Sequence, residues 1–260
     1  METISHTFIW RRVHSLMGLW LVLYLFIHLI VNSQATLWLG EDGIGFIRLV
    51  NILEALPYLQ VVEITLIGIP LVVHGYWGVK RIFEAKNNAG RGNGGAPSLP
   101  YGRNRAFRWQ RWTSWILLVG IVGHVVQMRF VQFPREVEGR YVVEVGRDAG
   151  LASLAERIGV RIEGEGDWVL ASAPSPGKAM LLMVRETFKS FPMCVFYTIF
   201  VLAAAFHAFN GFWTSLITWG ALLSYRSQRA VIPLCWVGVG VLAFLGLAAI
   251  WGSYWLNLRS

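Results

Sequence analysis

The sequence predicts an all-α integral membrane protein with five transmembrane helices and a small extracytoplasmic α+β insertion between helices three and four. Hydrophobic residues make up 55% of the 260 residues and charged residues only 15%, whereas soluble domains carry roughly 25% charged residues. The charges are also unevenly spread, because 18 of the 38 lie between Arg129 and Lys189, nine of them acidic and nine basic. The formal net charge of +8 therefore belongs to the apolar remainder of the chain. This composition argues against a soluble enzyme, a disordered chain and a nucleic-acid-binding protein.

Five apolar segments are long enough to cross a bilayer, which takes roughly 20 helical residues. They are residues 13–32, 57–79, 109–128, 191–219 and 230–256. Each must be a helix, because a lipid-embedded backbone has to satisfy its own hydrogen bonds. Span one resembles a secretory signal peptide, but its apolar core is too long and contains His28, so we interpret it as a retained span. In span two, Pro70 should free the carbonyl of Leu66 and kink the helix.

The short loops predict the orientation. The loop at residues 80–108 holds seven basic residues and one acid, and the N-terminal segment and the fourth loop each add two arginines. The first loop has one base against three acids. The positive-inside rule therefore places the N-terminus and loops two and four in the cytoplasm and the C-terminus outside. The Gly-, Asn- and Pro-rich residues 87–100 predict a flexible cytoplasmic linker.

The domain organisation follows from these spans: residues 1–133 hold helices one to three, residues 134–190 form the extracytoplasmic insertion, and residues 191–260 hold helices four and five. Within the insertion the pattern predicts a strand at 141–145, an amphipathic helix at 149–158 and strands at 160–163 and 168–171. Pro174 and Pro176 predict that a proline-rich exit closes the insertion. The insertion contains no motif of a catalytic or binding site, which favours a structural cap or a partner surface.

Four histidines lie deep within spans one to four, one in each: His28, His74, His124 and His207. Ionisable groups are costly in a membrane and are usually functional, although a lone histidine can also bond to a neighbouring carbonyl. With a rise of 1.5 Å per residue, His28 and His124 each lie about 22 Å from the cytoplasmic boundary. His74 lies about 8 Å from that boundary, and His207 lies about 24 Å from the outer one. The depths group His28 with His124 in the outer half and His74 with His207 in the inner half.

Two stacked histidine pairs fit two bis-histidine haems, which carry electrons without an open coordination position. A zinc ion would need four ligands around one centre, and a proton relay usually adds several acids, whereas the spans hold only Glu63. The only two cysteines lie in apolar segments and form no iron–sulfur motif. Glycines four residues from His124, His74 and His207 leave room for a macrocycle, although glycine also favours plain helix packing in lipid.

Four further residues are candidates on the basis of their position. His14 and Ser15 lie at the inner end of helix one, near the expected propionates of an inner haem, and His14 begins the stripe that leads to His28. Arg81, seven residues after His74, could pair with a propionate or serve as a cytoplasmic anchor. Glu63, eleven residues before His74 and on the same face, could exchange protons with a quinone or be a neutral structural group.

Six segments resemble the cytochrome b membrane subunit of succinate dehydrogenase, of the single-chain, five-helix, di-haem type that Bacillus-like bacteria pair with menaquinone. They are WRRVHSLMG (10–18), FIHLIVN (26–32), LVVHGYWGV (71–79), EAKNNAG (84–90), FHAFNGFWTSLITWG (206–220) and RSQR (226–229). The four histidines fall in segments that match the family, and the resemblance covers nearly all of the chain. The insertion at 134–190 departs from it, being much longer than the usual loop.

The resemblance implies two haems b, an outer low-potential one bound by His28 and His124 and an inner high-potential one bound by His74 and His207. It implies a bacterial cytoplasmic membrane subunit of respiratory complex II in the tricarboxylic acid cycle. Flavoprotein and iron–sulfur subunits would dock on the basic cytoplasmic face and perform the dicarboxylate chemistry. Electrons from succinate would reach the inner haem, the outer haem and then menaquinone near His28, His124 and Glu63.

Three alternatives stay open. The complex could run in the reverse direction as a quinol:fumarate reductase. The chain could be the di-haem cytochrome b of a hydrogenase or a formate dehydrogenase, which the FHAFNGFW and RRVHS segments disfavour. Outside electron transfer, it could be a haem-free membrane scaffold or transporter whose histidines serve packing or proton transfer.

Overall fold

The computed structural model describes residues 5–36, 41–84 and 102–259, with the backbone alone at 104 and 256–259. The predicted linker at 87–100 lies outside the described residues. The helices are α1 His6–Ser33, α2 Ile44–Glu54, α3 Leu59–Glu84, α4 Gly102–Val125, α5 Ala149–Ile158, α6 Pro176–Thr187, α7 Phe191–Thr218, α8 Tyr225–Ala230 and α9 Ile232–Arg259. The strands are β1 Arg135–Val137, β2 Arg140–Gly146, β3 Arg161–Glu163 and β4 Trp168–Ala173.

Within the described residues, five helical segments are long and apolar enough to cross a membrane. They are α1, α3, α4 with its extension to Val131, α7, and α8 together with the first part of α9. Because each of them overlaps one predicted span, with ends that extend no more than two residues inside it, the prediction of an all-α membrane protein with five spans is confirmed. The sequence analysis missed α2, which lies between spans one and two.

Helix α3 is irregular where the proline predicted it. Residues Ile64–Gly68 form a π-helical turn ahead of Pro70. Pro70 has no amide hydrogen to donate to the carbonyl of Leu66. The indole Nε1 of Trp20 in α1 donates to that carbonyl instead, over 2.5 Å. A carbonyl freed inside an apolar span is thus satisfied by a neighbouring helix, as a lipid environment requires.

The residues between α4 and α7 form an antiparallel four-stranded sheet with the strand order β1-β2-β4-β3. Strand β2 pairs with β4 from Tyr141 opposite Ala173 to Gly146 opposite Trp168. The three predicted strands and the helix at 149–158 are confirmed to within two residues of their ends. Strand β1 was not predicted, since three exposed residues carry no alternating apolar pattern.

Helix α5 begins and ends where its terminal residues dictate. The Asp148 carboxylate accepts hydrogen bonds from the backbone N–H groups of Gly150 and Leu151, which caps the N-terminus. Gly159 follows the helix with φ 66°, a left-handed conformation that glycine adopts without strain. Arg185 and Lys189 both pair with Asp148, at 2.7 Å and 2.6 Å. These hydrogen bonds, above all the one from Arg185, hold the pKa of the Asp148 carboxyl well below its usual range.

The predicted proline-rich exit is wrong, because residues Pro176–Thr187 form helix α6. Pro176 stands at the start of that helix, where its missing N–H would have no helical acceptor in any case. Helix α6 packs on the sheet and on α2. Gly177 permits the close approach to α2, because a Cβ there would lie 2.5 Å from the Ile47 carbonyl oxygen. Its amide donates to Asn51 Oδ1 over 2.8 Å.

The chain divides into two compact units, and each takes part of every membrane helix. The first unit comprises the chain up to Leu25 with Gln60–Val119 and Leu202–Val241. The second unit comprises Phe26–Leu59, Gly120–Val201 and the chain from Leu242 onward, so it contains α2 and the sheet. The second unit also contains the main hydrophobic core, which includes Phe46, Leu151, Ala171 and Leu182.

Candidate functional site

The four histidines form two pairs, one in each unit. In the first unit the ring centroids of His74 and His207 are 6.2 Å apart, with an angle of 77° between the ring planes. In the second unit the ring centroids of His28 and His124 are 5.8 Å apart, at 85°. The structure thus brings together the same partners that the depth argument groups. None of the four side chains is more than partly exposed.

His74 is held by α1. Its Nδ1 lies 3.1 Å from the backbone carbonyl oxygen of His14, and the two imidazole rings stack at 4.0 Å with only 11° between their planes. Gly18, one turn further along α1, leaves the space for the His74 ring. A Cβ at Gly18 would lie 2.8 Å from His74 Cε1, closer than such atoms approach. A carbonyl oxygen can only accept, so Nδ1 of His74 carries the proton.

His207 is held by two polar residues of α4. Thr113 Oγ1 lies 3.3 Å from His207 Nδ1 and also lies 2.8 Å from the Trp109 carbonyl oxygen, to which it donates. A threonine hydroxyl has a single proton, so its oxygen accepts from His207 Nδ1. Gln110 Nε2 donates to the His207 carbonyl oxygen over 3.2 Å, and Gln110 Oε1 accepts from Asn210 Nδ2 over 2.8 Å.

His124 is held by Tyr197 of α7. The Tyr197 hydroxyl lies 3.2 Å from His124 Nδ1 and donates to Gln127 Oε1 over 3.1 Å. Because its one proton points to Gln127, the phenol oxygen accepts from His124 Nδ1. Tyr197 is buried, at 5% exposure, among the rings of Phe188, Phe196 and Phe200.

His28 has a partner on its own helix. Asn32 Nδ2 donates to the His28 carbonyl oxygen over 2.8 Å and lies 3.5 Å from His28 Nε2, a distance at the limit of a hydrogen bond. The other three histidines share one pattern, in which Nδ1 carries a proton that a neighbour accepts. In that tautomer Nε2 presents its lone pair, as a metal-binding imidazole must.

The residues predicted around the inner pair are in part engaged elsewhere. Ser15 Oγ accepts from Trp219 Nε1 over 3.2 Å. The Arg81 guanidinium pairs with Glu84 at 3.2 Å and lies over the Trp77 ring at 4.6 Å. The buried Nδ1 of His14 has no hydrogen-bond partner in the described part of the protein. Their assignment to propionates stays a prediction.

Glu63 lies in the first unit, where it interacts electrostatically with Tyr24. Its predicted position on the same face as His74 is wrong. The π-helical turn Ile64–Gly68 lies between the two residues and holds more residues per turn than an α-helix. A spacing of eleven residues therefore no longer aligns the two side chains.

The sequence analysis missed Thr113, Gln110, Asn210 and Tyr197. The available signal was the presence of hydrogen-bonding side chains within apolar spans, where polar groups need a partner. Nothing in the spacing along one helix shows which residue of another helix that partner is. Gly120 has the second of its two predicted roles, close helix packing, because a Cβ there would collide with the Phe200 ring.

Among the described residues, no group of three or more His, Cys, Asp or Glu side chains is arranged to hold a metal ion. A pair of imidazoles suffices for haem, because the macrocycle supplies the other four ligands of the iron. The haem ligands therefore stay a prediction that the geometry of the pairs fits.

No protein-family model matches the sequence, and no solved structure matches it. The succinate dehydrogenase cytochrome b558 subunit of Bacillus subtilis (strain 168) is 29% identical over 247 residues. That alignment covers 95% of this chain and 96% of the relative. An alignment of this extent includes the segments that carry the four histidines. The chain is thus similar, along nearly its whole length, to a cytochrome b subunit of succinate dehydrogenase, as its sequence motifs indicate.

Proposed function

We propose that this chain is the membrane-anchor subunit of a succinate:menaquinone oxidoreductase and passes electrons from an iron–sulfur partner subunit to menaquinone. The observation that carries the proposal is the presence of two histidine pairs, each formed between two membrane helices. In each pair the ring centroids are near the separation that a bis-histidine haem requires. The similarity to a succinate dehydrogenase cytochrome b subunit supports this complex over the others that use such haems.

The separations fit haem as follows. Two metal–imidazole bonds of about 2.0 Å place the bound nitrogens about 4 Å apart, and each ring centroid lies about 1 Å behind its nitrogen. Opposed axial imidazoles therefore have centroids about 6 Å apart. The observed separations are 6.2 Å and 5.8 Å. Nearly perpendicular rings are compatible with this arrangement, because each ring can rotate about its own bond to the iron.

His74 and His207 would hold one haem b and His28 and His124 the other. A haem held by either pair would supply one-electron transfer at that position. The protein holds three of the four imidazoles, those of His74, His207 and His124, in the tautomer with Nε2 available, through His14, Thr113 and Tyr197. The unpartnered Nδ1 of His14, adjacent to His74, suits a propionate oxygen as its hydrogen-bond partner. Ser15 and Arg81 remain candidates for the same role.

The proposed partners follow from the relationship and from the charge distribution. A flavoprotein subunit and an iron–sulfur subunit would perform the dicarboxylate chemistry and dock on the basic cytoplasmic loops of the bacterial inner membrane. The N-terminus would be cytoplasmic and the C-terminus outside. We also propose a division into three regions: residues 1–133 with helices one to three, residues 134–190 as an insertion outside the cytoplasm, and residues 191–260 with helices four and five.

The decisive experiment is a reduced-minus-oxidised absorption spectrum of the purified complex, with haem counted per chain. Two haems b per chain, co-purifying with a flavoprotein and an iron–sulfur subunit, are expected. Co-purifying hydrogenase or formate dehydrogenase subunits would redirect the proposal to those complexes. A folded protein without haem would overturn it in favour of a scaffold or transporter. Rates of succinate oxidation and fumarate reduction in the same preparation would decide the direction.

Glu63 is our candidate for proton exchange with menaquinone, because it is a carboxylate within a membrane helix. Glu63→Gln keeps the size of the side chain and removes its acid–base function. We expect succinate:menaquinone turnover to fall by about 10²-fold or more, in the range that general acid–base catalysis contributes. Both haems should be retained, and electron entry from succinate into the haems should be unchanged. Unchanged turnover would assign Glu63 to structure alone.

A further inference from the structure

The hydroxyl of Tyr197 lies between the side chains of His124 and Gln127. The Tyr197 side chain is buried among three phenylalanine rings, those of Phe188, Phe196 and Phe200. The hydrogen bonds have a defined direction, from His124 Nδ1 to the phenol oxygen and from the phenol to Gln127 Oε1. Gln127 belongs to the π-helical turn Val126–Val131, which follows α4 directly after His124. Tyr197, which accepts from the His124 imidazole, is therefore also held by its hydrogen bond to Gln127.

We propose that Tyr197 is a positioning residue that sets the orientation and the redox potential of the haem bound by His124, and that the sheet-containing segment fixes Tyr197 in place. The proposal rests on the proposed function, because it requires a haem at His28 and His124. It also gives the segment 134–190 a role in the membrane part of the protein.

Two contacts connect that segment to Tyr197. The ring of Phe188, the residue after α6, packs edge-on against the Tyr197 ring with centroids 5.3 Å apart, and Phe188 is buried at 5% exposure. Thr187 Oγ1 donates a hydrogen bond to Gln132 Oε1 over 3.0 Å. The backbone N–H of Gln132 donates to the Gln127 carbonyl oxygen over 2.9 Å, which closes the π-helical turn.

The end of α6 thus holds both the ring of Tyr197 and the turn that carries its hydrogen-bond acceptor. π-helical turns are rare and occur mostly within α-helices at functional sites, so we expect this one to depend on its neighbours for stability. The buried core on which α6 packs supplies that stability, because Leu181 and Leu182 are 7% and 1% exposed.

The effect on the haem follows from the chemistry of the ligand. A hydrogen bond from Nδ1–H to an acceptor makes the imidazole a stronger electron donor, which favours the ferric state and lowers the potential. Loss of the Tyr197 oxygen should therefore raise the potential of this haem. Thr113 has the equivalent role at His207, so its removal should affect the other haem instead.

The test is a redox titration of both haems in the purified complex, followed by optical and electron paramagnetic resonance spectra. Tyr197→Phe retains the ring and removes only the hydroxyl. We expect both haems to be bound, the potential of one to shift upward with a changed resonance signature, and the other to match the wild type. Thr113→Val should shift the other haem only. Thr187→Val should shift the same haem as Tyr197→Phe, by less.

Thr198→Val is the matched control, because Thr198 is the next residue of α7 and its hydroxyl accepts from Trp251 instead of a histidine. This variant should leave both potentials unchanged. Two haems with wild-type potentials in Tyr197→Phe, or equal shifts of both haems, would overturn the role of Tyr197 while leaving the proposed function intact. A wild-type complex without two haems would instead overturn the proposed function.

Discussion

The two histidine pairs lie in surroundings that are stabilised in different ways. In the first unit, large apolar side chains such as Val72 and Tyr76 are 69% and 67% exposed, as expected for helices that face lipid. Its buried side chains include the polar Thr113, Ser215 and Gln228. Helices gain little from apolar contact with one another in lipid, so close packing at small residues and interhelical hydrogen bonds determine their arrangement.

In the second unit, by contrast, an apolar core of the kind found in soluble domains surrounds the sheet and continues to Tyr197 and Val201 of α7. The hydrophobic effect acts on this core wherever the sheet segment faces water. His74 therefore depends on individual contacts, such as the carbonyl of His14 and the space at Gly18. His124 depends on a packed domain that supports its partner Tyr197.

The largest expected effect comes from removing one ligand of a pair. His74→Ala should abolish one of the two haems, because a haem with a single axial histidine is held weakly, and should leave the other in place. His124→Ala should abolish the haem that His74→Ala retains. Haem content per chain and the reduced spectrum of each variant measure this. Loss of neither haem, or of both in each variant, would contradict the pairing.

A smaller effect is expected from the contact between helices at His74. Gly18→Ala introduces a Cβ 2.8 Å from His74 Cε1 and must displace the ring. Overpacking of this kind costs about 1–3 kcal/mol. When the purified protein is diluted in detergent, the fraction of His74–His207 sites that retain haem should therefore be lower than in the wild type. The control is Gly75→Ala, next to His74, where a Cβ meets no atom within 4 Å. Equal haem retention in both variants would show that Gly18 is not required for the position of His74.

A substitution outside the membrane helices should lower the stability of the sheet-containing part of the second unit. Asp148→Ala removes the cap of α5 and the partner of Arg185 and Lys189, and loss of a cap alone costs about 0.5–2 kcal/mol. Asp148→Asn keeps a capping side chain and removes the charge, so it should cost less. The rate of limited proteolysis between residues 134 and 190 measures the stability of this segment in both variants. Haem binding at His74 and His207, in the first unit, should be unchanged and serves as the internal control. Equal proteolysis rates of the wild type and Asp148→Ala would contradict this role.

The same residue gives the segment a dependence on pH. The pKa of Asp148 is lowered in the folded protein, so its contribution to stability is fully present above the usual carboxyl pKa of about 4. That contribution is lost as the pH falls from there through the lowered value. The wild type should become more sensitive to proteolysis below about pH 4, and Asp148→Asn should lack this component. Asp42→Asn is the control, since its pairing with Arg157 at 2.9 Å is exposed and contributes little.

The sequence by itself determined the membrane architecture and the grouping of the histidines. Length and apolarity are sufficient to define a span, because lipid forces every such segment to be a helix, and a constant rise converts residue number into depth. The helix Ala149–Ile158 was determined in the same local way, by Asp148 at one end and Gly159 at the other. Local rules also predicted that Pro70 would free the Leu66 carbonyl.

Only the tertiary structure decided which group satisfies each freed or buried polar atom. Trp20 bonds to the Leu66 carbonyl, Thr113 to His207 and Tyr197 to His124, and each pair joins two different helices. Helix periodicity shows which side chains share a face of one helix but not the rotation and height of its neighbour. The π-helical turn at Ile64–Gly68 shows the same limit, because an extra residue within one turn changes the face of every side chain beyond it.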